Sequence, residues 1–261
     1  MNVLSEIIAR KRERLAQAKA VIGLEQLRED AFAKRRSAKS HALRSALQSE
    51  GINIIAEFKR RSPSKGVIRA SAELASIVRS YEAGGAVAVS VLTEQDYFDG
   101  SLADLLAVKT CIALPVLRKD FVFDEYQVYE SAAAGADAVL LIVAALDDRE
   151  LDSLRRLAED ELEMDALVEV HDPHEIDRAA KSGATIVGVN NRNLKTFEVS
   201  LETSARLAPL APEGVLLVSE SGLNHASDLR WLHERGFHGF LIGESLMRAH
   251  DPEQALRDLR S

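Results

Sequence analysis

Side chains suited to acid–base chemistry follow several short apolar runs of this sequence. Glu57 and Lys59 end the run IIAEFK, and Lys119 follows PVLR. Glu169 lies inside the run LVEV, where a carboxylate is costly to bury unless it is paired or functional. Asn190 ends the run IVGVN and brings a donor and an acceptor together. Positioned lysines and carboxylates transfer protons in many reactions, so the pattern predicts catalysis if one fold gathers these residues.

The elements that would position these residues form a series of eight apolar runs separated by segments of helical pattern. The runs lie at residues 54–59, 86–92, 115–120, 138–143, 166–170, 186–192, 216–221 and 239–243. Nearly continuous apolar runs are typical of parallel strands buried on both faces. Eight strand–helix units in 261 residues predict an α/β chain folded as a single (β/α)₈ TIM barrel. In that fold the carboxyl ends of all strands meet on one catalytic face.

The limits of the barrel follow from its junctions. The phrases AGGAVAV, AGADAVL, SGATIVG and RGFHGFL repeat one helix-to-strand junction, with a glycine where a helix should end. An open doubly wound sheet, the rival topology, often carries a G-x-G-x-x-G turn after its first strand, whereas this chain reads EFKRRSPSKG there. We therefore predict an N-terminal helical extension over residues 1–50, at the bottom or rim of the barrel, and a catalytic barrel over residues 51–261. Together they would form one structural domain.

The composition is that of an ordinary enzyme, with 46% hydrophobic residues and a formal net charge of −8. An acidic chain disfavours general binding to nucleic acid or to an anionic membrane, although a local basic pocket could still take an anionic small molecule. The single cysteine, Cys111, permits no internal disulfide and joins no zinc-binding cluster. Neither a signal peptide nor a membrane span is expected, so we predict a cytoplasmic protein without a metal. A monomer and a weak homodimer both fit the sequence.

Loops after three of the runs carry the features of a phosphate site. The basic loop RRSPSKG contains Ser62 and offers charge, hydroxyl groups and a glycine. Gly222 and Gly243 follow the seventh and eighth runs, whose loops commonly hold phosphate in such barrels. Both glycines would let the backbone approach an anion. A short helix beginning near Glu244 and Ser245 would point N–H groups at that anion, with the Glu244 side chain turned outward.

Several longer motifs occur in a fixed order along essentially the whole chain. They are LSEIIARKRERL, IIAEFKRRSPSKG, LTEQDYFDGS, PVLRKDF, YQVYESAAAGADAVLLI, LVEVHD, GVNNRNL, VSESGL and IGESLM. Together they resemble the indole-3-glycerol phosphate synthase family. The resemblance implies a lyase of tryptophan biosynthesis that needs no cofactor. It also implies an anionic substrate, 1-(2-carboxyphenylamino)-1-deoxyribulose 5-phosphate, and its ring closure, decarboxylation and dehydration to indole-3-glycerol phosphate.

The resemblance further implies roles for individual residues. Lys119 would protonate the ketone oxygen during ring closure, and Lys59 would hold the substrate carboxylate. Glu169 and Lys59 would share the proton transfers of dehydration, with Glu57 orienting Lys59; the division of this work stays open. The remaining residues would position hydroxyl groups (Asn190, Arg192, Glu220 and Ser221) or line an apolar slot for the aromatic ring (Phe98, Phe121, Leu141 and Leu223).

Two expectations concern the surroundings of these residues. Desolvation or neighbouring cations would lower the pKa of Lys119 into the range of a general acid at neutral pH. His171 follows Glu169 by two residues, but we interpret it as a loop or capping histidine beside Asp172 and Pro173.

Two other functions fit parts of the pattern. A related phosphate-binding barrel, phosphoribosylanthranilate isomerase, uses a Cys and an Asp as its acid–base pair, whereas the first strand here ends in Glu and Lys. A non-catalytic phosphosugar-binding barrel could keep the phosphate loops but would not need Lys119 and Glu169. Turnover of each substrate would separate the three possibilities.

Overall fold

The computed structural model describes residues 3–70, 73–194 and 196–261 of the chain. In chain order the strands are β1 (Asn53–Phe58), β2 (Arg61–Ser62), β3 (Gly66–Val67), β4 (Ala88–Leu92), β5 (Val116–Lys119), β6 (Ala138–Ile142), β7 (Asp165–Val170), β8 (Ile186–Asn190), β9 (Leu216–Glu220) and β10 (Phe237–Ile242). Within the described residues, eight of these strands close a parallel barrel in the order β1-β10-β9-β8-β7-β6-β5-β4. The predicted (β/α)₈ fold is therefore confirmed. The short pair β2–β3 is an antiparallel hairpin in the loop after β1.

Helices alternate with the barrel strands along the chain. They are α1 (Val3–Val21), α2 (Leu24–Arg35), α3 (Ala42–Leu47), α4 (Leu74–Ala83), α5 (Leu102–Cys111), α6 (Glu125–Ala133), α7 (Asp148–Arg156), α8 (Pro173–Lys181), α9 (Glu202–Leu207), α10 (Ala226–His233), α11 (Glu244–Arg248) and α12 (Pro252–Arg260). Asp124, Asp147 and Asp172 cap α6, α7 and α8 by accepting backbone N–H bonds that a helix start leaves free. No helix of the described ranges combines the length and the apolar character that a bilayer crossing requires.

The pleat of each strand decides which side chains face the barrel interior. Along β7, Leu167 packs in the inner core of the barrel, whereas Ala166 packs in the outer core between strands and helices. Successive strand residues point to opposite faces. Glu169 therefore faces inward at the carboxyl end of β7. The same two-residue step from Leu117 brings Lys119 inward at the end of β5.

Glycines end the preceding helices at the four repeated junctions. Gly85, Gly135, Gly183 and Gly236 have φ angles of 87°, 87°, 76° and 89°. These left-handed angles are easy for glycine and turn the chain sharply from helix to strand. The interpretation of the four phrases as one repeated junction is confirmed.

The N-terminal extension reaches both ends of the barrel. α3 places Leu43 and Leu47 in the inner core, and Asn53 at the start of β1 donates to the Leu47 carbonyl. α2 packs against α6 on the outside. α1 lies at the opposite end, where Lys11 contacts Asp120 directly after β5. The domain boundary near residue 50 stays a prediction, and residues 1 and 2 lie outside the described residues.

A buried ion cluster ties α1 to the carboxyl ends of the strands. Lys11 Nζ lies 2.6 Å from Oδ1 of Asp120, whose side chain is fully buried. The other oxygen, Oδ2, lies 3.1 Å from Arg118 Nη2 and accepts a 2.6 Å bond from the Thr93 hydroxyl. Burial would raise the pKa of Asp120, but Lys11 and Arg118 outweigh it and lower the pKa to about 2. α1 is therefore attached through a charge that stays ionised.

Replacing Lys11 should weaken this attachment. Lys11→Met leaves a buried carboxylate with one cation fewer. We expect a loss of about 1–3 kcal/mol in the free energy of unfolding, below the cost of an unpaired buried charge because Arg118 remains. Denaturant unfolding measures this loss. Arg14→Met, which removes an exposed pair with Asp96, should cost no more than about 1 kcal/mol. Equal losses of unfolding free energy in Lys11→Met and Arg14→Met would contradict the role of the buried Lys11–Asp120 pair in attaching α1.

Candidate active site

A cavity of about 800 Å³ opens at the carboxyl ends of the barrel strands. Its size suits a small organic substrate. The structure brings together almost all of the residues that the sequence analysis placed in one pocket. Those lining the cavity are Glu57, Lys59, Ser62, Phe98, Lys119, Phe121, Glu169, Asn190, Arg192, Glu220, Ser221, Gly222, Leu223, Gly243, Glu244 and Ser245.

Lys119 lies between two carboxylates in the wall of the cavity. Its Nζ donates to Oε2 of Glu169 over 2.7 Å and to Oε2 of Glu220 over 2.9 Å. Burial alone would lower the pKa of Lys119, but Glu169 and Glu220, with Glu57 adding to them, outweigh burial and raise it. The expected lowered pKa is therefore wrong, because the sequence did not reveal that anions rather than cations surround the ammonium. Lys119 remains a proton donor at neutral pH.

The two carboxylates around Lys119 differ in charge. Burial would raise the pKa of Glu169, but Lys119 and His171 outweigh burial and lower it. Burial raises the pKa of Glu220 to about 7; Lys119 opposes this rise, whereas Glu169 and Glu57 add to it. Glu169 is thus the ionised partner at neutral pH and can accept a proton, while Glu220 can hold one.

Asn190 fixes the orientation of Glu169. Its Nδ2 donates to Oε1 of Glu169 over 3.1 Å, and its Oδ1 accepts a 2.9 Å bond from the Ser221 hydroxyl. Oδ1 also accepts a 3.0 Å bond from the backbone N–H of Arg192. Ser221 itself has a φ of 70°, which is unusual for a residue with a side chain. The strained turn after β9 thus serves to lock the amide that holds the carboxylate.

A second ion pair lies at the end of β1. Lys59 donates to Oε1 of Glu57, as their two-residue spacing predicts. A Cβ at Gly243 would collide with this same carboxylate oxygen. Gly243 therefore makes room for Glu57, a steric role in addition to the expected approach of an anion.

The loops after β1, β9 and β10 meet on one side of the cavity. Ser62 is buried there, and the buried hydroxyl of Ser245 has no hydrogen-bond partner among the described residues. Gly222 has a φ of 83°, a conformation that favours glycine. The Glu244 side chain turns to Lys65 and Arg248, at 3.7 and 3.2 Å. As expected, Glu244 directs its charge to surface cations and α11 begins at this residue.

An apolar wall forms another side of the cavity. The rings of Phe98 and Phe121 are 6.2 Å apart at 44°. Leu141 is the exception among the predicted lining residues: its side chain packs in the outer core, and Leu140 and Ile142 face the cavity instead. The assignment of Leu141 was wrong by one residue, because alternate residues of β6 point to opposite faces.

Other residues in or next to the cavity were missed. Apolar side chains of α1, Leu4 and Ile7, cover part of the mouth; their spacing on one helical face was the available signal. His171 was interpreted as a loop or capping residue, yet its Nε2 lies 3.3 Å from Oε1 of Glu169. Cys111 ends α5 and does not line the cavity. Among the described residues, no cluster of His, Cys, Asp and Glu is arranged to hold a metal ion.

Comparison with known proteins identifies the family. The sequence matches the family model of indole-3-glycerol phosphate synthase over residues 4–259. The chain belongs to the indole-3-glycerol phosphate synthase family. Indole-3-glycerol phosphate synthase 1 of Streptomyces coelicolor is 48% identical over 259 residues, which cover 99% of this chain and 95% of that protein. The indole-3-glycerol phosphate synthase of Desulfotalea psychrophila is 47% identical, with coverage of 99% and 98%. The resemblance inferred from the motifs is confirmed.

Solved structures outside the indole-3-glycerol phosphate synthase family share the barrel. Thiamine phosphate pyrophosphorylase from Pyrococcus furiosus superposes with a TM-score of 0.60 at 17% identity, covering 84% of this chain and 96% of that one. 3-Hexulose-6-phosphate synthase from Salmonella typhimurium gives 0.62 at 13% identity, covering 80% and 97%. At such identities the likeness shows the fold alone.

The raised pKa of Glu220 predicts how pH changes the stability of this indole-3-glycerol phosphate synthase family member. Between the ordinary pKa of 4.5 and the folded value of about 7, the unfolded chain loses this proton while the folded chain keeps it. This group therefore lowers stability as pH rises through that range. In Glu220→Gln this contribution is absent. The free energy of unfolding of the variant, relative to that of wild type, should therefore increase as pH rises. Urea unfolding from pH 4.5 to 8 measures the difference. For the exposed control Glu213→Gln, we expect the curve of unfolding free energy against pH to run parallel to that of wild type. A parallel curve for Glu220→Gln would contradict the raised pKa of Glu220.

Proposed function

We propose that the protein converts 1-(2-carboxyphenylamino)-1-deoxyribulose 5-phosphate to indole-3-glycerol phosphate, carbon dioxide and water, as a carboxy-lyase of tryptophan biosynthesis. Membership of the family supports the reaction. The observation that carries the chemistry is the ammonium of Lys119 between Glu169 and Glu220 inside the cavity. A proton donor and a proton acceptor thus lie side by side where the substrate would bind. A cytoplasmic location and a monomeric or weakly dimeric state stay predictions.

The three sides of the cavity match the three parts of this substrate. Its phosphate fits the hydroxyl and glycine loops at Ser62, Gly222 and Ser245, where the unsatisfied Ser245 hydroxyl would gain an acceptor. Its aromatic ring fits between Phe98 and the neighbouring apolar wall. Its carboxylate would pair with Lys59. Arg192, Glu220 and Ser221 would position the hydroxyl groups of the chain between ring and phosphate.

Ring closure needs a proton at the ketone oxygen. As the ring carbon that bears the carboxylate bonds to the carbonyl carbon, the oxygen takes a proton from Lys119 and becomes a hydroxyl group. Carbon dioxide then leaves, and the electrons of the broken bond restore the aromatic ring. The raised pKa of Lys119 keeps the donor protonated at the start, and Asn190 holds Glu169 aside during the transfer.

Dehydration needs one proton donated and one removed. The new hydroxyl group leaves as water after taking a proton, for which Lys59 is the donor. Glu169, with its lowered pKa, takes the proton from the adjacent carbon as the double bond forms. The sequence left this division open; the ionised state of Glu169 favours it as the base. Over the cycle two protons are donated and one is accepted, so one proton is drawn from solvent.

Two alternative functions have less support. An isomerase of the phosphoribosylanthranilate type would need a cysteine at the strand ends, whereas Cys111 ends a helix away from the cavity. A non-catalytic phosphosugar-binding barrel would have no use for a buried Lys119 between two carboxylates, an arrangement costly to build.

Turnover tests the proposal directly. The protein is incubated separately with 1-(2-carboxyphenylamino)-1-deoxyribulose 5-phosphate and with phosphoribosylanthranilate, and indole formation is followed by absorbance and mass spectrometry. We expect indole-3-glycerol phosphate and carbon dioxide from the first substrate and no change in the second. Conversion of the second substrate alone would favour the isomerase, and turnover of neither would favour the binding protein.

Lys119→Met should remove the general acid. We expect kcat to fall about 10²–10⁴-fold, equivalent to about 3–5 kcal/mol of barrier, with a smaller change in substrate affinity. Steady-state kinetics and equilibrium binding of substrate to the variant measure the two effects. Lys109→Met is the matched control, because Lys109 forms a 2.7 Å pair with Asp137 and does not line the cavity. A Lys119→Met variant with more than half of the wild-type rate, chemistry being rate-limiting, would remove Lys119 from the mechanism.

Glu169→Gln should separate binding from dehydration. Gln keeps the shape and much of the hydrogen bonding of Glu169 but cannot accept the proton. Rapid-quench analysis of a single turnover should therefore show a decarboxylated, hydroxyl-bearing intermediate or its precursor, with near-normal substrate affinity. If Glu169 serves only to pair with Lys119, the variant will bind or melt differently from wild type but turn over bound substrate at a near wild-type rate.

A further inference from the structure

His171 bridges Glu169 and a second carboxylate behind the cavity. His171 Nε2 lies 3.3 Å from Oε1 of Glu169, with no hydrogen bond of good geometry to any described residue, so the attraction is that of an ion pair. On the other side of the ring, Nδ1 lies 3.0 Å from Oε2 of Glu175. Only 13% of the His171 side chain is exposed. The ring is therefore enclosed between two anions.

Glu175 is itself held in place at the start of α8. Its Oε2 accepts a 2.7 Å bond from the backbone N–H of His171. Its own N–H donates over 2.9 Å to Asp172, the cap of the helix. Backbone and side chain of His171 thus meet the same carboxylate oxygen, and the helix start fixes the ring relative to β7.

The charges around the ring favour its protonated form. Burial would lower the pKa of His171, but Glu169 from β7 and Glu175 from α8 outweigh it and raise the pKa to about 10. Across the cavity, Lys119 faces Glu169 from β5, and Glu220 stands beyond that ammonium on β9. Glu169 therefore has a cation on each side, one for each of its oxygens.

We propose that His171 is a positioning residue: Glu175 holds it as an imidazolium, and its contact with Oε1 of Glu169 keeps Oε2 turned toward the cavity and the substrate proton. This inference rests on the proposed role of Glu169. Once Lys119 has given its proton to the ketone oxygen, it no longer attracts the carboxylate as a cation. His171 and the amide of Asn190 then keep Glu169 oriented, and the imidazolium keeps it ionised until dehydration.

Kinetics of single and double variants test the proposal. His171→Ala should lower kcat by about 10- to 100-fold, as expected for a misplaced catalytic group, while KM changes about twofold or less. It should also move the acidic limb of the kcat profile to higher pH, since Glu169 loses a cation. In a Glu169→Gln background, His171→Ala should cause no further loss, because His171 acts through Glu169. If His171→Ala lowers kcat by the same factor in the wild-type and Glu169→Gln backgrounds, the proposal is overturned.

Glu175→Gln tests the bridge without touching the ring. With one carboxylate neutralised, the pKa of His171 should fall toward the ordinary value of ~6.5, so activity should be lost at lower pH than in wild type. Imidazole NMR should show the same fall without any assay of turnover. Glu150→Gln is the matched control, because Glu150 accepts a 2.8 Å bond from the backbone N–H of Asp147 at the start of α7, away from the cavity. It should leave both readouts unchanged.

The outcomes separate this inference from the proposed function. If His171→Ala has the kcat and the pH profile of wild type while Glu169→Gln accumulates an intermediate, the positioning role is overturned and the proposed function stays intact. Absence of turnover in wild type would overturn the proposed function. If His171→Ala does not fold, an unchanged basic limb or an unshifted imidazole titration in Glu175→Gln overturns the positioning role.

Discussion

The burial of one ammonium between two carboxylates is the interaction on which the site depends. An unpaired lysine in this place would be strongly destabilising, so Lys119 requires Glu169 and Glu220, and each of them requires Lys119. The surroundings accommodate this cluster. A side chain at Gly188 would collide with Oε1 of Glu220, so the glycine leaves room for this carboxylate. Asn190 donates a hydrogen bond to Oε1 of Glu169. The cluster thus keeps a proton donor, the Lys119 ammonium, next to a proton acceptor, the Glu169 carboxylate, with both groups ionised.

The barrel supplies the geometry that such a cluster needs. Strands β5, β7 and β9 end at the same face, and the two-residue period turns the last inward residue of each toward a common centre. Rigid strands hold the charges that we propose transfer protons, whereas loops hold the groups that would bind phosphate. The N-terminal extension completes this arrangement, because α1 lies over the mouth and Lys11 neutralises Asp120 beside Lys119.

Much of this arrangement could be predicted from the sequence, because apolar runs mark strands and their carboxyl ends mark the mouth. The failures have physical causes. The run AVLLIV is apolar throughout, so nothing in it indicates whether Leu141 or its neighbours face inward. The raised pKa of Lys119 depends on distances to other strands, which spacing along the chain does not give. His171 and Glu175 are four residues apart across a helix start, a spacing that signals a pair but does not say that the pair reaches Glu169.

The charge of Lys119 is the most direct test of this account. Heteronuclear NMR of ¹⁵N-lysine-labelled protein follows each side-chain nitrogen through a pH titration, with Lys119→Arg to assign the signal. If Glu169 and Glu220 hold the ammonium as the structure shows, its signal should remain that of the protonated form beyond the ordinary lysine pKa of 10.5. A Lys119 signal that titrates below 10.5 would show that burial outweighs the two carboxylates and would contradict the account.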